Sequence, residues 1–291
     1  MKHTKSWAFK EMLNSHGLEF LMEAHDGISS KIVENAGFKG IWASGLCIST
    51  ALGVRDSNEI SWTQVTQVLE HMSAVTHIPI LVDGDTGHGN FNNVRILVKK
   101  LCQIEIAALA IEDKTFPKTN SFIETKQSLA NTQEFCGKIK AAKDSQTNSD
   151  FCLIARTESL IVGASMDEAI NRATAYYEAG ADGIIIHSKK STAEEVLKFS
   201  KLWHHPCPLI IIPTKYFSEP TSSYENKNIS MVIWANHNMR AAIRSMENIC
   251  KTIIAERSVS HVEKNIASVS DIFDLFNYNE LAAAEKIYLV A

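Results

Sequence analysis

Short apolar runs alternate with amphipathic stretches along most of the chain. Eight runs rich in Ile, Leu and Val span 19–25, 40–44, 78–83, 107–112, 151–157, 183–187, 209–213 and 231–235. Brief segments that are apolar throughout predict strands covered on both faces. Between them, apolar positions recur at helical spacing over 29–36, 61–75, 92–104, 131–143, 166–179, 192–203 and 239–256, which predicts helices. Gly37 and Gly180 follow two of these helical runs, where a left-handed cap is wanted. Eight strands alternating with helices over about 250 residues predict a closed (β/α)8 TIM-type barrel. The competing architecture is an open doubly wound sheet, but no Gly-x-Gly-x-x-Gly follows the first run.

Two segments exceed a minimal barrel. Residues 114–130 form a polar connection after the fourth run, and loops of that length are usually lids or disordered. Residues 270–291 carry a further amphipathic helix with Ile272, Phe273, Leu275, Phe276, Leu281, Ala284 and Ile287. Its apolar face needs cover from its own barrel or from a neighbouring subunit. The expected organisation is therefore one barrel domain over 1–291, with a lid and a C-terminal helix.

Composition narrows the function classes. The net charge of −4 offers no basic stripe for nucleic acid. No segment approaches the roughly 20 apolar residues of a membrane helix, and residues 1–10 lack the apolar core of a signal peptide. Cysteines 47, 102, 136, 152, 207 and 250 form no Cys-x-x-Cys pair, so free thiols in a reducing cytoplasm are expected. His204-His205-Pro206-Cys207 reads as a surface loop before a strand rather than a metal site.

Chemistry gathers where the apolar runs end. Asp83 and Asp85 close the third run as a hard-metal site or as a strand-to-turn boundary. His25, Trp42 to Gly45, Glu112 to Lys114, Arg156 with Glu158, His187-Ser188, Thr214-Lys215 and Asn236-His237 stand at the other ends. In a barrel, that face carries the active site. Asp83, Asp85 and Glu112 are hard oxygen donors, and three carboxylates around one point call for a divalent cation. Magnesium fits them better than zinc. Arg156 suits an anionic ligand, and His187 suits the same anion or a general-acid role. Ser44, Gly45 and Leu46 leave the second strand so that backbone N–H groups face a carboxylate.

At Glu112-Asp113-Lys114-Thr115-Phe116-Pro117-Lys118-Thr119-Asn120-Ser121 the sequence resembles the phosphoenolpyruvate mutases of the phosphoenolpyruvate mutase/isocitrate lyase superfamily. Further matches are Phe38 to Trp42, Gly53 to Glu59, Asp85-Thr86-Gly87, Gly89 to Asn93, His187 to Lys190, Pro213 to Tyr216 and Trp234 to His237. The likeness runs from about residue 10 to 291. It implies a modified barrel whose eighth helix is swapped between subunits of a dimer or tetramer. It also implies magnesium-dependent interconversion of phosphoenolpyruvate and phosphonopyruvate. Carried over by position, Asp83 is the main magnesium ligand, and Asp85 and Glu112 act largely through water. Ser44, Gly45 and Leu46 bind the pyruvyl carboxylate beneath Trp42. Arg156, His187 and Asn120 hold the phosphoryl group, Ser121 is a further substrate-binding residue, Lys118 sits on the lid, and Asp56 is nucleophile or positioning group.

The resemblance also separates neighbouring activities. Isocitrate and methylisocitrate lyases carry a lid cysteine where this chain reads Lys118-Thr119-Asn120-Ser121. Phosphonopyruvate hydrolase, the alternative activity, has a threonine where Asn120 stands; a weakened barrel that only binds a phosphonate or pyruvate-like ligand is the second alternative. Departures remain. The family reads Asp-Ala-Asp-Thr-Gly-Tyr-Gly-Asn where this chain has Gly84 and His88, and Gly84 is expected to loosen the site. The later lid, 123–129, is one residue shorter than usual and lacks its arginine.

Overall fold

In a computed structural model, residues 4–124 and 127–289 are described. Thr125 and Lys126 of the expected lid, residues 1–3 of the N-terminal segment and residues 290–291 of the expected C-terminal helix lie outside them. Eight strands form a closed parallel barrel in the order β1 to β8. They are β1 (Glu19–Ala24), β2 (Gly40–Ala43), β3 (Ile80–Asp83), β4 (Ala108–Glu112), β5 (Cys152–Thr157), β6 (Gly183–Ile186), β7 (Leu209–Ile211) and β8 (Ile229–Trp234). All eight expected strands are present, with shifted ends. Pro79 lacks an N–H and precedes β3 rather than entering it, and β7 stops short of Pro213.

The helices are α1 (Lys5–Leu13), α2 (Gly27–Asn35), α3 (Gly45–Ala51), α4 (Trp62–Val75), α5 (Phe91–Gln103), α6 (Thr132–Ser145), α7 (Met166–Glu178), α8 (Glu194–Leu202), α9 (His237–Glu256), α10 (Val269–Leu275) and α11 (Tyr278–Tyr288). Two were not expected. Helix α1, capped by the Thr4 side chain on Trp7 N, buries Phe9, Met12 and Leu13 at i, i+3, i+4 spacing. These residues join Leu21, Ile154 and Met231 in the core cluster of barrel-interior side chains. Helix α3 is a seven-residue turn opened by Ser44. The expected helix over 270–291 is instead α10 and α11, broken at Asn277, which takes a left-handed backbone with φ 54°.

The chain divides into two compact units, Met1–Asn238 and Met239–Ala291. The first holds the barrel, whose larger core cluster packs strand residues such as Val82, Leu109 and Ala155 against the surrounding helices. The second is helical and presents Ile272, Phe273, Phe276, Leu281 and Ile287 as exposed apolar side chains.

Candidate active site

The alternation of a strand fixes what faces the barrel axis. Leu81 lies in the interior cluster and Asp83 follows two residues on; Ala108 and Ala110 lead to Glu112, and Cys152 and Ile154 lead to Arg156. The same step joins Trp42 to Ser44, Ile185 to His187 and Ile212 to Thr214. The polar groups are thus the top layer of the barrel interior. They line one pocket with Leu46, Asp56, Lys114 and the lid residues Lys118, Asn120, Ser121 and Phe122.

Of the three expected metal residues, Asp83 and Glu112 line the pocket, and Asp85 approaches Asp83 across Gly45. Among the described residues, no three His, Cys, Asp or Glu side chains gather as a ready metal set. Asp85 has a left-handed backbone, φ 52°, and its carboxylate turns to Asn58 Nδ2 at 2.6 Å and Lys118 Nζ at 2.5 Å. Lys118 Nζ also lies 2.8 Å from Asp56 Oδ1. A lid ammonium therefore stands among the carboxylates. They raise its pKa well above the ordinary lysine value despite the opposing pull of burial.

The donor set still fits a hard cation. Among the described residues, the ammonium and guanidinium groups that pair with or line the pocket beside Asp56, Asp83, Asp85, Glu112 and Glu158 are those of Lys114, Lys118 and Arg156. Glu112 Oε1 is buried without a hydrogen bond, its nearest ammonium being Lys114 Nζ at 3.5 Å. Burial pushes Glu112 up to about 7. Burial, with the Asp85 charge adding to it, also raises Asp83. Crowded buried carboxylates with oxygen donors to spare match the preference of magnesium.

Glu158, noticed in the sequence only as the neighbour of Arg156, is the hub of the anion side. Fully buried, it accepts from Arg156 Nε at 2.6 Å and Ser121 Oγ at 2.5 Å, and lies 2.8 Å from His187 Nδ1. Burial opposes its ionisation, but Arg156 and His187 hold it well below the usual carboxylate range. Arg156 Nη2 also donates to Ser121 Oγ at 3.1 Å and reaches His187 Nδ1 at 2.7 Å. Burial and the Arg156 charge lower the His187 pKa, so the ring is neutral near pH 7. With Nδ1 engaged, Nε2 is the ring nitrogen left for a ligand. Glu158 was legible as the next inward position, two residues beyond Arg156.

Lys114 was missed as a site residue. It is buried and donates to Thr119 O at 2.6 Å, Ser121 Oγ at 2.9 Å and Gln127 Oε1 at 3.1 Å. The lid's feet pair through Thr115 N to Ser128 O at 3.0 Å and Ala130 N to Asp113 O at 2.8 Å. Over the pocket, Asn120 Nδ2 donates to Asp56 Oδ2 at 2.7 Å. Lys118 and Asn120 oppose the effect of burial and keep Asp56 below its ordinary value.

Gly45 stands where a Cβ would meet Asp83 Oδ2 at 3.1 Å and Asp85 Oδ1 at 3.2 Å, and its N–H donates to Asp83 Oδ2 at 3.3 Å. The expected loosening at Gly84 is corrected. A Cβ there would lie 2.3 Å from Leu109 Cδ1 and 3.0 Å from Ala110 O, so neighbours already occupy the space a methyl would take. His88 is half-buried with φ 54°. Burial lowers its pKa, and the nearby Lys118 charge adds to the effect.

Some strand-end residues point elsewhere. Asp113 turns outward, accepting from Tyr176 Oη at 2.6 Å and Glu158 N at 2.8 Å. His25 pairs with Glu23 at 2.6 Å and does not line the pocket. Lys215 Nζ lies 5.1 Å from the centroid of the Phe122 ring.

Residues 9–254 match the family model described as phosphoenolpyruvate phosphomutase. The chain is 51% identical over 286 residues to the phosphoenolpyruvate phosphomutase of Tetrahymena pyriformis, covering 98% of this chain and 95% of that one. Its fold matches the crystal structure of phosphoenolpyruvate phosphomutase from Streptomyces platensis subsp. rosaceus with a TM-score of 0.96 at 38% identity, over 99% of this chain and 100% of that one. A phosphonopyruvate hydrolase crystallised with oxalate and Mg++ matches with a TM-score of 0.93 at 35% identity, over 99% of this chain and 100% of that one.

Proposed function

Because the chain belongs to the phosphoenolpyruvate phosphomutase family, we propose that it interconverts phosphoenolpyruvate and phosphonopyruvate as a magnesium-dependent mutase. The observation that carries this reading is the lid contact of Asn120 Nδ2 with Asp56 Oδ2 at 2.7 Å, in the pocket that also holds Arg156 and His187. In this reading Asp83, Asp85 and Glu112 hold the cation, with Asp83 the main ligand. Bound magnesium stabilises the charge that develops on the pyruvate oxygens during transfer.

The chain's own residues do the rest. Ser44, Gly45 and Leu46 receive the pyruvyl carboxylate beside Trp42. Arg156, His187, Asn120 and Ser121 meet the charge of a phosphoryl group passing through a loose transition state. Asp56 receives that group or positions it, and Lys118 balances the carboxylates around it. The lid excludes water, which would otherwise take the phosphoryl group and leave pyruvate and phosphate.

Phosphorus NMR of phosphonopyruvate incubated with protein and magnesium tests the reading. A growing phosphoenolpyruvate signal is expected. Pyruvate and phosphate as sole products would make the protein a hydrolase, and binding without conversion would make it a ligand-binding barrel. The substrate is a small molecule, and the free thiols of all six cysteines suit a reducing cytoplasm. The exposed apolar side chains of α10 and α11 suit exchange between subunits of a dimer or tetramer. Light scattering giving a monomer mass would exclude that assembly.

A further inference from the structure

We propose that Asn58 is a positioning residue that couples closure of the lid to the orientation of Asp85; the inference rests on the mutase reading of the same pocket. The Asn58 side chain spans two parts of the site. Its Nδ2 donates to Asp85 Oδ2 at 2.6 Å, and its Oδ1 accepts from the backbone N–H of Lys118 at 2.7 Å. Only one orientation of the amide satisfies both contacts, since a carboxylate cannot donate and a backbone N–H cannot accept. No other uncharged side chain of the same size offers a donor and an acceptor in this arrangement.

The loop that presents Asn58 is itself held in shape. Arg55 N donates to Glu59 Oε2 at 2.9 Å and the two side chains form an ion pair, while Ser57 N donates to Arg55 O at 2.9 Å. At its tip Asn58 takes a left-handed backbone, φ 55°, which asparagine tolerates better than most residues. The amide is thus presented with little freedom left to lose on binding the lid.

The other lid contacts differ in kind. Lys118 Nζ and Asn120 Nδ2 reach Asp85 and Asp56 with side chains that the proposed chemistry itself recruits. The bond to Asn58 uses lid backbone, so a ligand engaging those side chains does not compete with it. Asn58 can therefore hold the lid shut while Lys118 and Asn120 turn to the substrate. Its second bond holds the Asp85 carboxylate to the same amide, so the lid backbone and Asp85 share one side chain.

Hydrogen–deuterium exchange of the lid, residues 114–124, read by mass spectrometry on the full chain without added ligand, tests this directly. Two variants are compared. Asn58→Gly keeps the left-handed turn and removes the amide, and Asn58→Asp keeps the shape but sets a carboxylate against Asp85. Asn58→Gly is expected to exchange about fivefold faster across the lid, as loss of one bond that holds closure by about 1 kcal/mol implies, whereas Asn58→Asp, which keeps an acceptor for the Lys118 N–H, should change lid exchange less. The rest of the barrel should keep its wild-type protection. With magnesium and phosphonopyruvate, Asn58→Gly should release several-fold more pyruvate and phosphate relative to phosphoenolpyruvate. Wild-type lid exchange in Asn58→Gly would overturn the proposal. So would faster exchange spread over the whole barrel, which would mark a merely structural role. If the wild-type chain forms no phosphoenolpyruvate, the mutase reading fails while the exchange measurement still decides the role of Asn58.

Discussion

Restoring a methyl at position 84 should weaken the protein, although Ala is what the resembling family carries there. A Cβ on Gly84 would stand 2.3 Å from Leu109 Cδ1 and 3.0 Å from Ala110 O, and Leu109 is fully buried. Leu109 must change rotamer or β3 and β4 must separate, and overpacking of this kind costs about 1–3 kcal/mol. The backbone at Gly84 lies outside the left-handed region, so Ala gains about 0.4–1 kcal/mol from a less free unfolded chain. The net expectation for Gly84→Ala is a loss of about 1–2 kcal/mol, or a melting temperature lower by about 2–6 °C. Leu109→Val removes the obstructing methyl and by itself costs about 1 kcal/mol. In the double variant the two losses should not add, leaving a coupling of about 1 kcal/mol or more. Thermal unfolding of the four proteins by circular dichroism reads this cycle. If Gly84→Ala melts at or above the wild-type temperature, or if the losses simply add, Leu109 is not what fills the missing methyl's place.

Asp56→Ala should lower mutase turnover by at least about 10²-fold while the protein still binds phosphonopyruvate and magnesium in calorimetry; near-normal rates would remove Asp56 from the mechanism. The His25 pair gives a pH signature away from the pocket. Burial disfavours its charged form, but Glu23 at 2.6 Å outweighs this and raises its pKa above the ordinary 6.5. A raised histidine pKa means the folded state binds the proton more tightly. That stability is complete below pH 6.5 and is lost as pH rises through the higher folded value. Glu23→Gln should flatten this fall in melting temperature, and a wild-type profile in that variant would count against the pairing.

Much of the fold was legible because it is local. The strands, of 3 to 6 residues, showed as short apolar runs, such as Phe20-Leu21-Met22 in β1 and Leu209-Ile210-Ile211 in β7, and the helix spacing between runs was equally direct. Helix α1 was not, because its signal is a single cluster of Phe9, Met12 and Leu13 whose use depends on the barrel interior it joins. Asn277 breaks the C-terminal helix by a backbone state that apolar periodicity does not report. In the site, Asp83, Glu112, Arg156 and His187 could be found because they follow inward apolar residues at a step of two. Glu158 obeys the same rule one step further.

What the chain alone determined is therefore the barrel and the set of groups on its upper rim, since strand alternation sends every second side chain to the axis whatever the loops do. Tertiary structure decided how those groups pair. Asn58 meets Lys118 across 60 positions and Asp85 across 27, and Asn120 meets Asp56 across 64. No local period encodes such distances. The contacts of Asn58 with Lys118 and of Asn120 with Asp56 depend on where the lid comes to rest, over a buried, weakly screened pocket in which Lys118 stands among carboxylates. The same packing explains Gly84, whose meaning changed from a loosened turn to a filled space once Leu109 was seen against it.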